Sequence, residues 1–217
     1  MKRAASDHLL FLSQLRKRYT TTGSVAPSSR FLAAALTAPL NASKGPLRIL
    51  EVGPGTGAVT RRIISLLKPE DRLDLVELNE TFAEMLKRCF REDASYRKVA
   101  EQAEIHLCAI EEFHSDIQYD YIISGLPLNN FSAETVGEIF ECFFRLLAPN
   151  GVLSYFEYMG MRKIRGMVVG RNGRKRIRAL EEIMNSYLNV HRFRRNRVLV
   201  NFPPAWVQHL RKERDES

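Results

Sequence analysis

Leu47-Arg48-Ile49-Leu50-Glu51-Val52-Gly53-Pro54-Gly55-Thr56-Gly57-Ala58 is the stretch whose reading decides the fold. Residues 47–52 are apolar and rich in branched side chains, and Pro46 and Gly53 bound them, so they read as a short buried strand. The glycines that follow make a tight turn where a ligand can approach backbone. Residues 60–67 carry the spacing of an amphipathic helix that starts at this turn. Strand, glycine turn and helix N-terminus in succession form a nucleotide-type site, because free N–H groups and the helix dipole point at the ligand.

Two chemistries fit the turn. Gly53, Gly55 and Ala58 satisfy the G-x-G-x-x-G/A pattern of dinucleotide sites. The stretch also resembles the first motif of S-adenosylmethionine-dependent methyltransferases, an acidic and an apolar residue before G-x-G-x-G, with Glu51, Gly53, Gly55 and Gly57 in those positions. A glycine loop that only turns the chain is the plain alternative. Glu77 follows Gly57 by 20 positions, at the end of a second apolar run, residues 73–78. A carboxylate there can bind both ribose hydroxyls; a solvated strand-end glutamate is the alternative.

The 217 residues suffice for one domain with a full core, and the hydrophobic content of 45% is that of a globular protein. One domain over residues 1–217 is expected, with N-terminal helices in 1–45 and a core in 46–217. Cys89, Cys108 and Cys142 are odd in number and well separated, which suggests neither a disulfide framework nor a metal cluster. No apolar run approaches the ~20 residues of a membrane span, and no secretory signal is evident. The net charge of +8 is unevenly spread. Residues 1–30 hold six Lys/Arg against one Asp, 31–161 twelve against nineteen acids, and 162–197 twelve against two. An acidic body with two basic segments suggests a polyanionic partner, nucleic acid or an anionic bilayer.

Residues 2–19 read as a basic amphipathic helix, which either lies in a membrane interface or packs over the core. A small-residue turn follows, and Ser28 or Ser29 is expected to cap a helix over 30–36. Further helices are expected over 80–91 (capped by Asn79), 133–147 and 179–187, with 94–102 a polar connection. Strands are expected over 104–109, 119–123, 152–158, 190–200 and 205–211, and Pro149-Asn150-Gly151 reads as a turn. Alternating strands and helices imply an α/β, doubly wound, parallel sheet. The last two strands lack a helix between them and should pair antiparallel.

Three blocks resemble bacterial phospholipid N-methyltransferases of the soluble type that methylates phosphatidylethanolamine. They are Thr22-Gly23-Ser24-Val25-Ala26-Pro27-Ser28-Ser29, the glycine motif, and Ser124-Gly125-Leu126-Pro127-Leu128-Asn129-Asn130-Phe131. Asn201-Phe202-Pro203-Pro204-Ala205 is a weaker fourth. More distantly the chain is similar to rRNA adenine dimethyltransferases. The resemblance implies a seven-stranded, Rossmann-like S-adenosylmethionine methyltransferase fold. Glu51, Gly53, Pro54, Gly55, Thr56 and Gly57 would surround the methionine end, and Glu77 and Leu78 the ribose. Members often place an acid after the third strand, near the adenine amine; here Ala109, Ile110 or Glu111 would supply that contact. Ser124, Gly125, Leu126 and Pro127 would sit beside the sulfonium, while Tyr19 and the Ser24, Ala26, Ser28 turn would close over the cofactor.

Methyl transfer to an amine asks the protein mainly for alignment, which can supply roughly 7–11 kcal/mol. Positive charge moves from sulfur to nitrogen, so carbonyls and aromatic faces assist. Aromatic candidates are Tyr19, Phe131, Tyr155, Tyr158 and Trp206, each equally a core candidate, with Asn130 beside the substrate. Arg162, Lys163, Arg165, Arg174, Lys175, Arg176 and Arg178, interleaved with apolar residues, are expected to meet an anionic phospholipid surface. No metal is expected, since no histidine has ligand spacing. The first reading is therefore a lipid-amine N-methyltransferase that carries phosphatidylethanolamine towards phosphatidylcholine, with an ornithine-type aminolipid as the alternative substrate, peripherally bound at the cytoplasmic face of the membrane. An RNA methyltransferase is disfavoured because no separate RNA-reading domain is evident. A nicotinamide oxidoreductase is disfavoured because no second nucleotide-binding half fits, and a non-catalytic binding module ranks last.

Overall fold

The computed structural model describes residues 27–42, 45–159, 171–201 and 203–213. Seven strands form one sheet in the order β3-β2-β1-β4-β5-β7-β6. They are β1 (Arg48–Val52), β2 (Arg72–Glu77), β3 (Ala103–Leu107), β4 (Tyr119–Ser124), β5 (Leu147–Tyr158), β6 (Arg192–Val198) and β7 (Ala205–Arg211). β1 to β5 run parallel, and β7 lies antiparallel between β5 and β6. The helices are α1 (Pro27–Leu36), α2 (Ala58–Ile64), α3 (Glu80–Glu92), α4 (Ala94–Arg97), α5 (Ala133–Leu146) and α6 (Arg171–His191).

The two-residue period of the strands gives the sheet two buried faces. Leu50, Val52, Ile122, Leu153 and Tyr155 face α5 and α6, where Phe140, Phe143 and Met184 are fully buried. Ile49, Leu73, Leu75, Ile123 and Val207 face the other way, against Leu32, Leu36 and Ile63 of α1 and α2. Among the described residues, no helix is long and apolar enough to cross a membrane.

Several expectations need correction. α1 spans Pro27–Leu36, so Ser28 and Ser29 lie inside the helix rather than before it. Proline at a helix start is compatible with its fixed φ. The polar connection over 94–102 contains α4 and a 3-10 turn, Ala100–Gln102, because Tyr96 is buried there at 1% exposure. Pro149-Asn150-Gly151 is an irregularity inside β5 rather than a turn before it. Asn150 takes φ 64°, the β4 partner shifts between Leu147 and Val152, and Lys212 at the end of β7 pairs with both Asn150 and Gly151. Asparagine tolerates that left-handed backbone. Finally, α6 starts at Arg171 and not at 179, which puts Arg174, Lys175, Arg176 and Arg178 on a helix.

Candidate active site

The parallel order places β1 beside β4, with β2–β3 on one side and β5 on the other. Where such an order reverses, a crevice opens at the carboxyl ends of the strands. The glycine turn after β1 and the Ser124-Gly125-Leu126-Pro127 loop after β4 meet there. Gly53 has φ 70°, and a Cβ on it would lie 2.7 Å from Leu126 Cδ2. A Cβ on Gly125 would lie 2.5 Å from the Gly53 carbonyl oxygen. Both backbones are pinned to the sheet: Gly53 N–H donates to Val76 (2.9 Å) and Gly125 N–H to Val52 (2.8 Å). Gly125→Ala must therefore push two anchored loops apart. It is expected to cost about 1–3 kcal/mol of stability, read as a lower melting temperature, and to weaken cofactor binding in parallel. An unchanged melting temperature would show that the two loops are free to separate.

The crevice spans about 590 Å³, part of it open to solvent. Gly53, Gly55, Glu77, Leu78, Ala109, Ile110, Gly125, Leu126, Pro127 and Phe131 line it, all expected from sequence. Val52, Val76, Phe82 and Cys108 also line it and were not foreseen. Phe82 follows directly from the helix cap that the sequence does show: Asn79 Oδ1 accepts from Phe82 N–H at 3.2 Å, so the first turn of α3 faces the crevice.

Glu77 is the polar centre of this site. It is 4% exposed, its Oε2 accepts from Gly55 N–H at 2.9 Å, and its Oε1 accepts from Asn79 N–H at 2.8 Å. Burial raises its pKa, against the pull of the Asn79, Gly55 and Leu78 amides. Glu77 thus fixes the glycine turn to the loop after β2 and keeps lone pairs on both oxygens for a diol. Tyr96 holds the other end of the turn, its hydroxyl donating to the Gly57 carbonyl at 3.2 Å. That contact spans 39 residues, which no local sequence pattern shows.

Other expected residues lie nearby without lining the crevice. Glu51 is buried at 1% exposure on the far side of the turn. Burial pushes its carboxyl up to about 8; the Thr60 hydroxyl and amide oppose this, and the charge of Glu77 adds to it. Neither Glu51 oxygen makes a well-formed hydrogen bond among the described residues. Pro54 accepts from Gly57 N–H within the turn (2.9 Å), and Thr56 is exposed on it. Ser124 is fully buried, and its Oγ accepts from Leu126 N–H at 3.3 Å, which shapes the loop from beneath. The Leu126 and Pro127 carbonyls accept from Leu128 and Asn130 N–H, so the expected carbonyl face is partly engaged in its own turn. Glu111 follows Ile110 on a 3-10 turn and is not among the residues that line the crevice.

Of the aromatic candidates among the described residues, only Phe131 lines the crevice. Tyr155 is a core residue, fully buried and edge-to-face with Phe140. Tyr158 packs on Phe156 on the opposite face of the sheet, and Trp206 lies on β7 under Arg195. Tyr19, Ser24, Ala26, Arg162, Lys163 and Arg165 lie outside the described residues. Ser28 and Arg174 stand in the first turns of α1 and α6. Asp74, Glu104 and His106 are one histidine–carboxylate group that the strand register gathers and the sequence spacing hid. Asp74 there already bonds His106 Nε2 and the Tyr119 hydroxyl, each at 2.8 Å.

A methyltransferase domain profile matches residues 50–153. The chain is 29% identical, over 70% of its own length and 79% of the relative's, to an ornithine lipid N-methyltransferase of Singulisphaera acidiphila. Its fold is similar to that of the N-methyltransferase NodS of Bradyrhizobium japonicum WM9 in complex with S-adenosyl-L-homocysteine. There the TM-score is 0.62 and the identity 17%, over 93% of this chain and 98% of that one. It is similar also to the O-methyltransferase TomG of Streptomyces achromogenes in complex with S-adenosylmethionine. That match has a TM-score of 0.62 and 16% identity, over 97% and 88% of the two chains. The fold is that of S-adenosylmethionine-dependent methyltransferases, and the domain match supports the same class of activity and cofactor. The residues present fit the cofactor: Glu77 offers a carboxylate to a diol, Leu78, Phe82 and Ile110 give apolar lining for a flat ring, and Gly53 and Gly55 bring backbone without side chains to the crevice wall, their N–H groups already donating to Val76 and Glu77 rather than free as the sequence suggested.

Proposed function

We propose that the chain N-methylates the amine of a membrane aminolipid, an ornithine-type lipid first and phosphatidylethanolamine second. The observation that carries the substrate class is the likeness to the ornithine lipid N-methyltransferase. Phosphatidylethanolamine, the first expectation from sequence, keeps the support of the Ser124 to Phe131 block. The bound cofactor supplies an electrophilic methyl group. This chain's part is to hold it by Glu77 and the glycine turn and to align an amine beside Gly125, Leu126 and Pro127. The apolar rim of Leu126, Pro127 and Phe131 excludes water from that approach and suits a substrate with acyl chains. Catalysis then takes place at the cytoplasmic face of a membrane, with the protein peripherally bound.

The test offers purified protein and methyl-labelled S-adenosylmethionine to vesicles containing ornithine lipid, vesicles containing phosphatidylethanolamine, or RNA. Label is expected in the chloroform-soluble fraction, more from ornithine lipid. Label from phosphatidylethanolamine alone reverses the order of the two lipids. Label in RNA alone overturns the lipid reading.

A further inference from the structure

β6 is an edge strand, and its sequence Arg-Phe-Arg-Arg-Asn-Arg-Val puts four arginines into seven residues. Charges on an edge can serve only to prevent strand pairing between molecules. Here the same edge also leaves Phe193 44% exposed and Leu199 and Val200 each 62% exposed. A surface built merely to stay apart from its copies would not end in an apolar tip. Neither β6 nor its neighbour β7 carries an acidic residue, and Arg211 of β7 adds a fifth cation by stacking on Phe193, 4.4 Å from the ring centroid.

The position of this edge matters as much as its composition. Val198 lies opposite Ala205, and Ala205 lies opposite Tyr158. β6 therefore runs parallel to β5 and ends at the carboxyl end of the sheet, the end at which the crevice opens. Leu199 and Val200 project the chain beyond that end. One step back, Arg195 lies 4.1 Å and Arg197 5.8 Å from the centroid of Trp206, the only tryptophan. A guanidinium stacked on an indole keeps its N–H edge free for an anion, in a planar fork that matches phosphate oxygens. The α6 helix joins two parallel strands, so it must run from the crevice end back to the start of β6. Its exposed Lys175, Arg176 and Arg178 then lie at the same end as the tip.

We propose that the β6 edge and the 199–200 tip dock the protein on an anionic lipid bilayer. Leu199 and Val200 enter the interface, while Arg195 and Arg197, braced by Trp206, bind headgroup phosphates. This rests on the aminolipid reading for its purpose, since it would present the crevice mouth to the bilayer, but it is tested by binding and not by turnover.

The experiment is flotation of the full chain with phosphatidylglycerol–phosphatidylcholine vesicles and with pure phosphatidylcholine vesicles, at low and high salt. Binding is expected only to the anionic vesicles and is expected to fall in high salt. Arg195→Gln with Arg197→Gln should weaken it about thirtyfold. Leu199→Ser with Val200→Ser should weaken it also while leaving the salt dependence in place. Both double variants should keep the rise in melting temperature caused by S-adenosyl-L-homocysteine, which shows that the fold and crevice are intact. They should also keep the wild-type rate on aminolipid dispersed in detergent micelles. Undiminished flotation of both variants, or no flotation of the wild type, overturns the docking surface, and the micelle rate then judges the aminolipid reading separately. Loss of RNA binding without loss of vesicle binding in the arginine variant would assign the edge to nucleic acid and overturn the proposal as well.

Discussion

Glu77→Ala is expected to weaken S-adenosylmethionine binding by about 1.5–3 kcal/mol, roughly ten- to hundredfold, measured by calorimetry or by the ligand-induced rise in melting temperature. The carboxylate stands to lose its bonds to the ligand diol. It also loses the two amides it now holds, Gly55 N–H at 2.9 Å and Asn79 N–H at 2.8 Å. Unpaired, those amides let the glycine turn drift from the loop after β2, so part of the loss is misplacement and not a missing contact. Glu77→Gln separates the two parts. It keeps an acceptor for one amide but turns an N–H₂ toward the other, and it removes the charge. It should fall between wild type and Glu77→Ala. NAD should leave the melting temperature of the wild type unchanged; equal stabilisation by NAD would overturn the cofactor assignment. A Glu77→Ala protein that binds S-adenosylmethionine at wild-type affinity would mean that the diol is read elsewhere in the crevice.

The sequence showed this site in the proportion to which its chemistry is local. Gly53, Gly55, Glu77 and the Ser124 to Pro127 loop sit at strand ends, and a strand end followed by a glycine turn is written in consecutive residues. The parallel course of β1 to β5 follows from the same alternation of strands and helices. What the sequence hid depends on contacts between distant segments. Tyr96 reaches Gly57 across 39 residues, so residues 94–102 read as a polar connector although they brace the turn. Asp74, Glu104 and His106 come together only through the register of two strands. Tyr155 was ambiguous in sequence because a strand aromatic can face a crevice or a core equally well, and its place opposite Phe140 on α5 decides for the core. The sequence sets the start of α6 too late because the basic stretch 162–178 reads as a surface-binding segment ahead of the helix. Arginine is a good helix former, and the apolar stripe of Leu180, Met184 and Leu188 anchors the rest of the helix to the core.

Glu51→Gln is expected to stabilise the protein, and the gain should grow with pH. The Glu51 carboxyl is fully buried without a well-formed hydrogen bond among the described residues, and burial, reinforced by the charge of Glu77, lifts its pKa from 4.5 to about 8. Below about pH 4.5 the group is protonated whether the chain is folded or not, so it contributes no pH dependence. Between 4.5 and 8 the unfolded chain releases this proton and the folded chain keeps it. Folding then takes up a proton, and stability falls as pH rises through that window. Above 8 both states are ionised and the penalty is constant, with an upper limit of about 5 kcal/mol for a shift of this size. Glutamine fills the same space without titrating, so its stability should be flat where that of the wild type declines. Melting temperatures of the two proteins should nearly coincide at about pH 4 and diverge steadily towards about pH 8. The divergence should shrink when Glu77 is also replaced by Gln, because the neighbouring charge is one cause of the shift. Parallel curves across that range would sink the account, since they would mean that Glu51 is ionised in the folded chain and finds a counter-charge. A divergence that survives intact in the Glu77→Gln background would assign the whole shift to burial and remove the coupling between the two carboxyls beneath the glycine turn.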